Sequence, residues 1–92
     1  MTSADAYSNK EWIVYILRCR DNTLYTGITN NMEKRLLAHN YGTASRYTRT
    51  RLPVKLIASS TPMSKSDALR LEINIKRLPR DKKLFALTAG LN

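Results

Sequence analysis

Tyr15 and Tyr25 are two phenols, each set in a run of strand formers, and a glycine, Gly27, closes the second run. Arg35 and His39 follow at i and i+4, a spacing that puts both on one face of a helix. Glu72 stands far downstream. These residue types suit one kind of chemistry. A guanidinium forks onto phosphoryl oxygens, and an imidazole changes charge near neutral pH. A phenol becomes a usable base only where positive charge lowers its pKa from about 10. A lone carboxylate can hold a hard divalent cation that takes its remaining ligands from water and substrate phosphate. Singly, each has a plainer reading: sheet-core aromatics for the tyrosines, a solvated arginine, a satisfied histidine.

The elements that must position these groups can be read from local pattern. Trp12-Ile13-Val14-Tyr15-Ile16-Leu17 is β-branched and aromatic without clean alternation, which predicts a strand covered on both faces. Asp21-Asn22 is a turn signal, and Leu24 to Thr29 returns as the second strand of a hairpin, so Tyr15 and Tyr25 sit on neighbouring strands. Asn30 or Asn31 offers an N-cap, with Glu33 three residues after Asn30, and the first helix runs from Met32 to Asn40. Gly42 suits the left-handed exit. The stretch Thr43 to Arg51 is basic, hydroxyl-rich and interleaved with tyrosine, as phosphate contacts require; its plainer reading is an exposed loop. Val54 to Ala58 is a third strand. Ser64 and Asp67 start a second helix that Pro79 stops after Leu78, and a short helix spans Arg80 to Thr88 before Gly90.

The second helix carries an anomaly. At 100° per residue, with Ala68 at the origin, Ile75, Leu71 and Leu78 lie on one side and Leu69 and Ile73 on the other, and Glu72 falls at about 40°, near the middle of that apolar arc. Lys76 also falls inside it. A carboxylate there is costly unless compensated. Either Glu72 and Lys76 form a partly buried pair, or Glu72 faces a cleft and ligates a cation.

Composition narrows the partner. The 92 residues make one domain and carry sixteen Lys and Arg against seven Asp and Glu, a net charge of +9. From Lys34 to Ser66 there is no acidic residue, while Lys34, Arg35, Arg46, Arg49, Arg51, Lys55 and Lys65 are basic. Such a surface fits a polyanion, nucleic acid before a membrane surface. Cys19 stands alone, which excludes an intrachain disulfide or a cysteine-based zinc site. The polar leader, residues 1–10, lacks the apolar core of a secretory signal, and Trp12 to Leu17 is too short to span a bilayer. A cytoplasmic protein is expected. A basic surface with one isolated carboxylate suggests metal-assisted phosphodiester hydrolysis, with Mg2+ or Mn2+ on Glu72.

The ordered set Tyr15, Tyr25-Thr26-Gly27, Arg35, His39 and Glu72 resembles the GIY-YIG endonuclease superfamily, especially its small stand-alone bacterial members. The resemblance covers about residues 11 to 87. It includes Val14 to Cys19, Leu24 to Thr29, Arg46-Tyr47-Thr48-Arg49 and Glu72 through Leu78. Ile13 stands where the first motif has glycine, Thr26 where the second has isoleucine, and no downstream asparagine matches that of some members. The resemblance implies an α+β fold: a small three-stranded antiparallel sheet flanked by about three to four helices. It implies catalytic roles for Tyr15, Tyr25, Arg35, His39 and Glu72, with Glu72 the metal ligand.

The expected activity is divalent-metal-dependent cleavage of DNA rather than RNA, structure-directed or partner-dependent, in DNA repair or recombination. Either tyrosine could activate water with help from His39, and Arg35 would stabilise the transition state. Lys34, Arg46, Tyr47, Arg49, Arg51 and Lys76 would contact nucleic acid. The competing classes are a non-catalytic nucleic-acid-binding module on the same fold and a domain that recruits a protein partner.

Overall fold

The computed structural model describes residues 11–88; the leader 1–10 and Gly90 lie outside the described residues. The chain folds as β1 (Ile13–Arg18), β2 (Leu24–Thr29), α1 (Met32–Tyr41), α2 (Arg46–Arg49), β3 (Lys55–Ser59), α3 (Lys65–Lys76) and α4 (Arg80–Thr88). The sheet is antiparallel with order β2-β1-β3. The expected fold class is the one observed. The lack of alternation in β1 has its cause here: the strand is central, and Val14, Tyr15, Ile16 and Leu17 are all buried.

The two faces of β1 feed two clusters. Val14 and Ile16 pack with Ala68 and Ile75 of α3 and Ala86 and Leu87 of α4. Tyr15 and Leu17 pack on the other face with Cys19 and Val54, joined by Met32 and Leu36 of α1 and by Tyr25. Helices therefore cover both faces of a small sheet, and cutting a buried anchor such as Ile75 to alanine costs about 2–5 kcal/mol. Cys19 is a buried apolar group.

Local signals set most boundaries. At the hairpin, Asp21 accepts hydrogen bonds from the Thr23 amide and hydroxyl, while Asn22 takes the left-handed region at φ 71°. Asn31, rather than Asn30, caps α1 by accepting from the Lys34 amide. Gly42, at φ 85°, ends the helix. The Asn40 amide then clasps Val54, accepting from its N–H and donating to its carbonyl, which aims the chain into β3. Ser64 caps α3 through the Asp67 amide. That helix ends at Lys76, earlier than expected, and Lys83 of α4 donates to the carbonyls of Ile75 and Lys76 at its exit.

Two details differ from the expectation. The segment from Thr43 to Arg51 contains a full turn, α2, because the Ser45 hydroxyl accepts from the amides of Tyr47 and Thr48. On α3 the buried arc is narrower than the apolar one: Leu69 and Ile73 are 42% and 50% exposed. Glu72 therefore lies at the margin of the packed face, not its centre. The helix packs on β2 and β1 through Ala68, Leu71 and Ile75.

Candidate active site

Tyr15 lies directly across the β1–β2 ladder from Gly27. Its ring crosses that backbone so closely that a Cβ on Gly27 would stand 2.6 Å from Oη and 2.7 Å from Cζ. Gly27 is thus required by close approach, not by its own backbone angles. The phenol, 1% exposed, points on toward α1.

There it meets His39. Tyr15 Oη stands 2.8 Å from His39 Nε2, and His39 Nδ1 stands 2.8 Å from the hydroxyl of Thr48 on α2. His39 and Thr48 are both fully buried. Tyr25, partly exposed, approaches the same imidazole edge-on at 5.1 Å between ring centres and lies 6.3 Å from the Tyr15 ring. Three expected catalytic groups thus form one aromatic cluster, and Thr48 joins it unforeseen. The Ser45 cap three residues earlier was the signal for the turn that carries Thr48, but nothing local indicated that it meets a histidine.

Arg35 lies one turn before His39, close enough to act on both Tyr15 and His39. Burial chiefly holds the Tyr15 phenol well above its ordinary range; Tyr25 adds to this, Arg35 opposes it, and the Glu72 carboxylate adds again. His39 is held below its ordinary 6.5 by burial and then by Arg35. The pair is therefore a neutral phenol against a neutral imidazole at pH 7.

Outside this cluster runs an open cleft of about 280 Å³ lined by Leu24, Tyr25, Thr26, Tyr47, Lys76 and Lys83. Leu24 belongs to the α3 side of β2 and Tyr25 to the α1 side, so the cleft passes over the exposed edge of the sheet. That edge brings α3 to the tyrosines although α3 packs on the opposite face. Glu72, its side chain 17% exposed, holds Lys76 Nζ at 3.2 Å. The paired reading of Glu72 is the one observed, and its charge also acts on Tyr15.

The expected nucleic-acid contacts divide into two kinds. Arg46 and Arg49 stand exposed on α2, and Lys34 with Arg35 lines a recess at the start of α1. Tyr47 and Arg51 are engaged within the protein. Tyr47 stacks on Tyr25 at 6.1 Å, and the Arg51 guanidinium covers its ring at 3.9 Å. Arg51 also pairs with Asp21 at 3.0 Å and donates to the Tyr47 carbonyl. It staples the basic segment to the β1–β2 turn, a contact across thirty positions that no local pattern announces.

No group of three or more His, Cys, Asp or Glu that could hold a metal ion occurs among the described residues. A single carboxylate, Glu72, paired with a lysine that lines the cleft, does not fit zinc. It does fit Mg2+ or Mn2+, which keep most of their waters and share substrate oxygens.

No helix among the described residues is long and apolar enough to cross a membrane. Residues 11–84 match the model of the GIY-YIG catalytic domain. A UPF0213 protein of Nitratidesulfovibrio vulgaris is 46% identical over 80 residues, covering 87% of this chain and 73% of that protein. The solution structure of the UPF0213 protein BH0048 from Bacillus halodurans shares 40% identity over 86% of each chain, with a TM-score of 0.51. That of the protein EF2693 from E. faecalis shares 34% identity over 92% of this chain and 93% of its own, with a TM-score of 0.57.

Proposed function

The chain belongs to the GIY-YIG catalytic domain family, a family of nucleases, and from that premise we propose that it hydrolyses phosphodiester bonds in DNA with the help of a divalent cation. A cytoplasmic role in DNA repair or recombination, on branched or otherwise structured DNA, suits a domain this small. The observation that carries the reading is the Tyr15–His39 hydrogen bond buried beneath Tyr25, within electrostatic reach of both Arg35 and Glu72.

The chain's own groups divide the work. Tyr25 lines the cleft and positions the scissile phosphate and the attacking water. Tyr15 takes the water's proton on its oxygen as its own proton passes to His39 Nε2. A free phenolate, which burial disfavours, never has to form. Arg35 meets the negative charge that builds on the phosphoryl oxygens, a role whose loss typically costs about 3–4 kcal/mol in barrier. Lys76 and Lys83 draw the backbone into the cleft, with Lys34, Arg46 and Arg49 extending the basic track. Glu72 would hold Mg2+ or Mn2+, which when bound would supply neutralisation of the charge on the leaving oxygen.

Incubation with branched, single-stranded and duplex DNA and with RNA, in Mg2+ and in EDTA, tests this reading. Cleavage that needs the metal supports it. Tight, salt-sensitive binding without cleavage on any substrate would instead make the protein a binding module on a nuclease fold.

A further inference from the structure

Three hydrogens and three acceptors line up in the buried chain Tyr15–His39–Thr48–Ser45. The Tyr15 hydroxyl faces His39 Nε2 at 2.8 Å, His39 Nδ1 faces Thr48 Oγ1 at 2.8 Å, and Thr48 Oγ1 lies 3.4 Å from the Ser45 carbonyl oxygen. A carbonyl can only accept, so the last bond must be donated by Thr48. With the hydroxyl hydrogen directed to that carbonyl, a long contact, Nδ1 carries a hydrogen and Nε2 accepts. The phenol's hydrogen then has its acceptor. In the opposite tautomer the Thr48 hydroxyl donates to Nδ1 and Nε2 donates to Tyr15. The phenol's hydrogen would then have no acceptor among the described residues and would point at the attacking water instead of leaving its oxygen free to take the water's proton.

We infer that Thr48 is a positioning residue that fixes His39 in the Nδ1–H tautomer and so keeps Nε2 ready for the Tyr15 proton. The inference rests on the nuclease reading and deepens it, adding a residue that touches neither substrate nor metal. It also gives the basic segment an inward task. The turn that displays Arg46, Tyr47 and Arg49 on its outer side holds Thr48 on its inner side. Its two anchors, the Ser45 cap and the Arg51–Asp21 pair, therefore also anchor the imidazole. Threonine suits the position because its methyl fills a buried space while its hydroxyl takes one bond and gives one. Valine keeps the shape and lacks both.

Nitrogen-15 chemical shifts of the imidazole of His39, the single histidine of the chain, test this on the whole protein, without substrate. The wild type should show a protonated Nδ1 and an unprotonated Nε2 at pH 7. Thr48→Val should shift His39 toward the Nε2–H form or a mixture and slow metal-dependent DNA cleavage on the order of a hundredfold, with little change in KM. Thr48→Ser should restore both the spectrum and the rate, which a purely space-filling role would not predict. An Nε2–H wild type, or a Thr48→Val protein with wild-type spectrum and rate, overturns the inference and leaves the nuclease reading standing. A wild type with the Nδ1–H form and no cleavage overturns the nuclease reading, and with it any catalytic use of the tautomer. Should Thr48→Val fail to fold, the wild-type spectrum still decides the assignment.

Discussion

Tyr15 and Gly27 face each other across the β1–β2 ladder, and the phenol occupies the space where a Gly27 side chain would begin. Backbone and phenol have nowhere to retreat, since both residues are buried. Gly27→Ala should therefore push the Tyr15 ring off its path, destabilise the fold by about 1–3 kcal/mol, and abolish the contact with His39. Denaturant unfolding and DNA cleavage should both register the change. Wild-type stability would mean that the ring has room that the geometry denies it.

The depressed affinity of His39 for protons has a consequence for stability. An unfolded histidine titrates near 6.5, and the folded one titrates lower. As the pH falls, the unfolded chain therefore takes up its proton first. The contribution is complete above about 6.5 and is lost as the pH drops through the folded value, by at most about 1.4 kcal/mol per pH unit for one proton. Thermal unfolding between about pH 7.5 and 5 should show a falling midpoint, and His39→Gln should flatten it. The acid limb of cleavage should lie below 6.5 for the same reason.

Glu72→Gln separates binding from chemistry. The Glu72–Lys76 pair is half exposed on the lysine side, so its loss should change stability by less than about 1 kcal/mol. DNA binding should persist or tighten slightly, because Lys76, which lines the cleft, loses its negative partner. Metal-dependent cleavage should fall by a factor of about a hundred or more. A fully active Glu72→Gln protein would remove Glu72 from any role in holding the cation.

The arginines of the basic segment should behave differently. Arg46 is exposed on α2, so Arg46→Ala should weaken binding and reduce the salt slope by about 0.9, one phosphate's worth. Arg51 already answers Asp21 and covers Tyr47. Arg51→Ala should alter the slope less but lower stability by about 1 kcal/mol. Fluorescence anisotropy across a salt series, alongside unfolding, distinguishes the two.

How much of this was legible before folding depends on the range of each signal. Strand β1 announced itself because a doubly covered strand needs no alternation, and Asn31, Ser64 and Gly42 sit where local capping geometry demands them. The candidate site was legible only as an ordered resemblance, since Tyr15 and His39 are twenty-four positions apart. Glu72 stood out by helical projection, but the projection overstated its burial. It counted Leu69 and Ile73 as packed, and which apolar residues are covered depends on where the sheet ends. Thr48 and the Asp21–Arg51 staple were beyond reach, because both are contacts made by the third dimension alone.

The central claim is that the buried Tyr15–His39 pair, Tyr25 and Glu72 act together on a phosphodiester. Single-turnover cleavage of branched DNA in Mg2+ by the wild type, Tyr15→Phe, Tyr25→Phe and Glu72→Ala, each checked for folding and DNA binding, tests it most directly. The account predicts cleavage by the wild type that EDTA abolishes, and losses of about a hundredfold or more in each variant with binding retained. Wild-type protein that binds but never cuts, or cleavage that survives unchanged in Tyr25→Phe and Glu72→Ala, would contradict it.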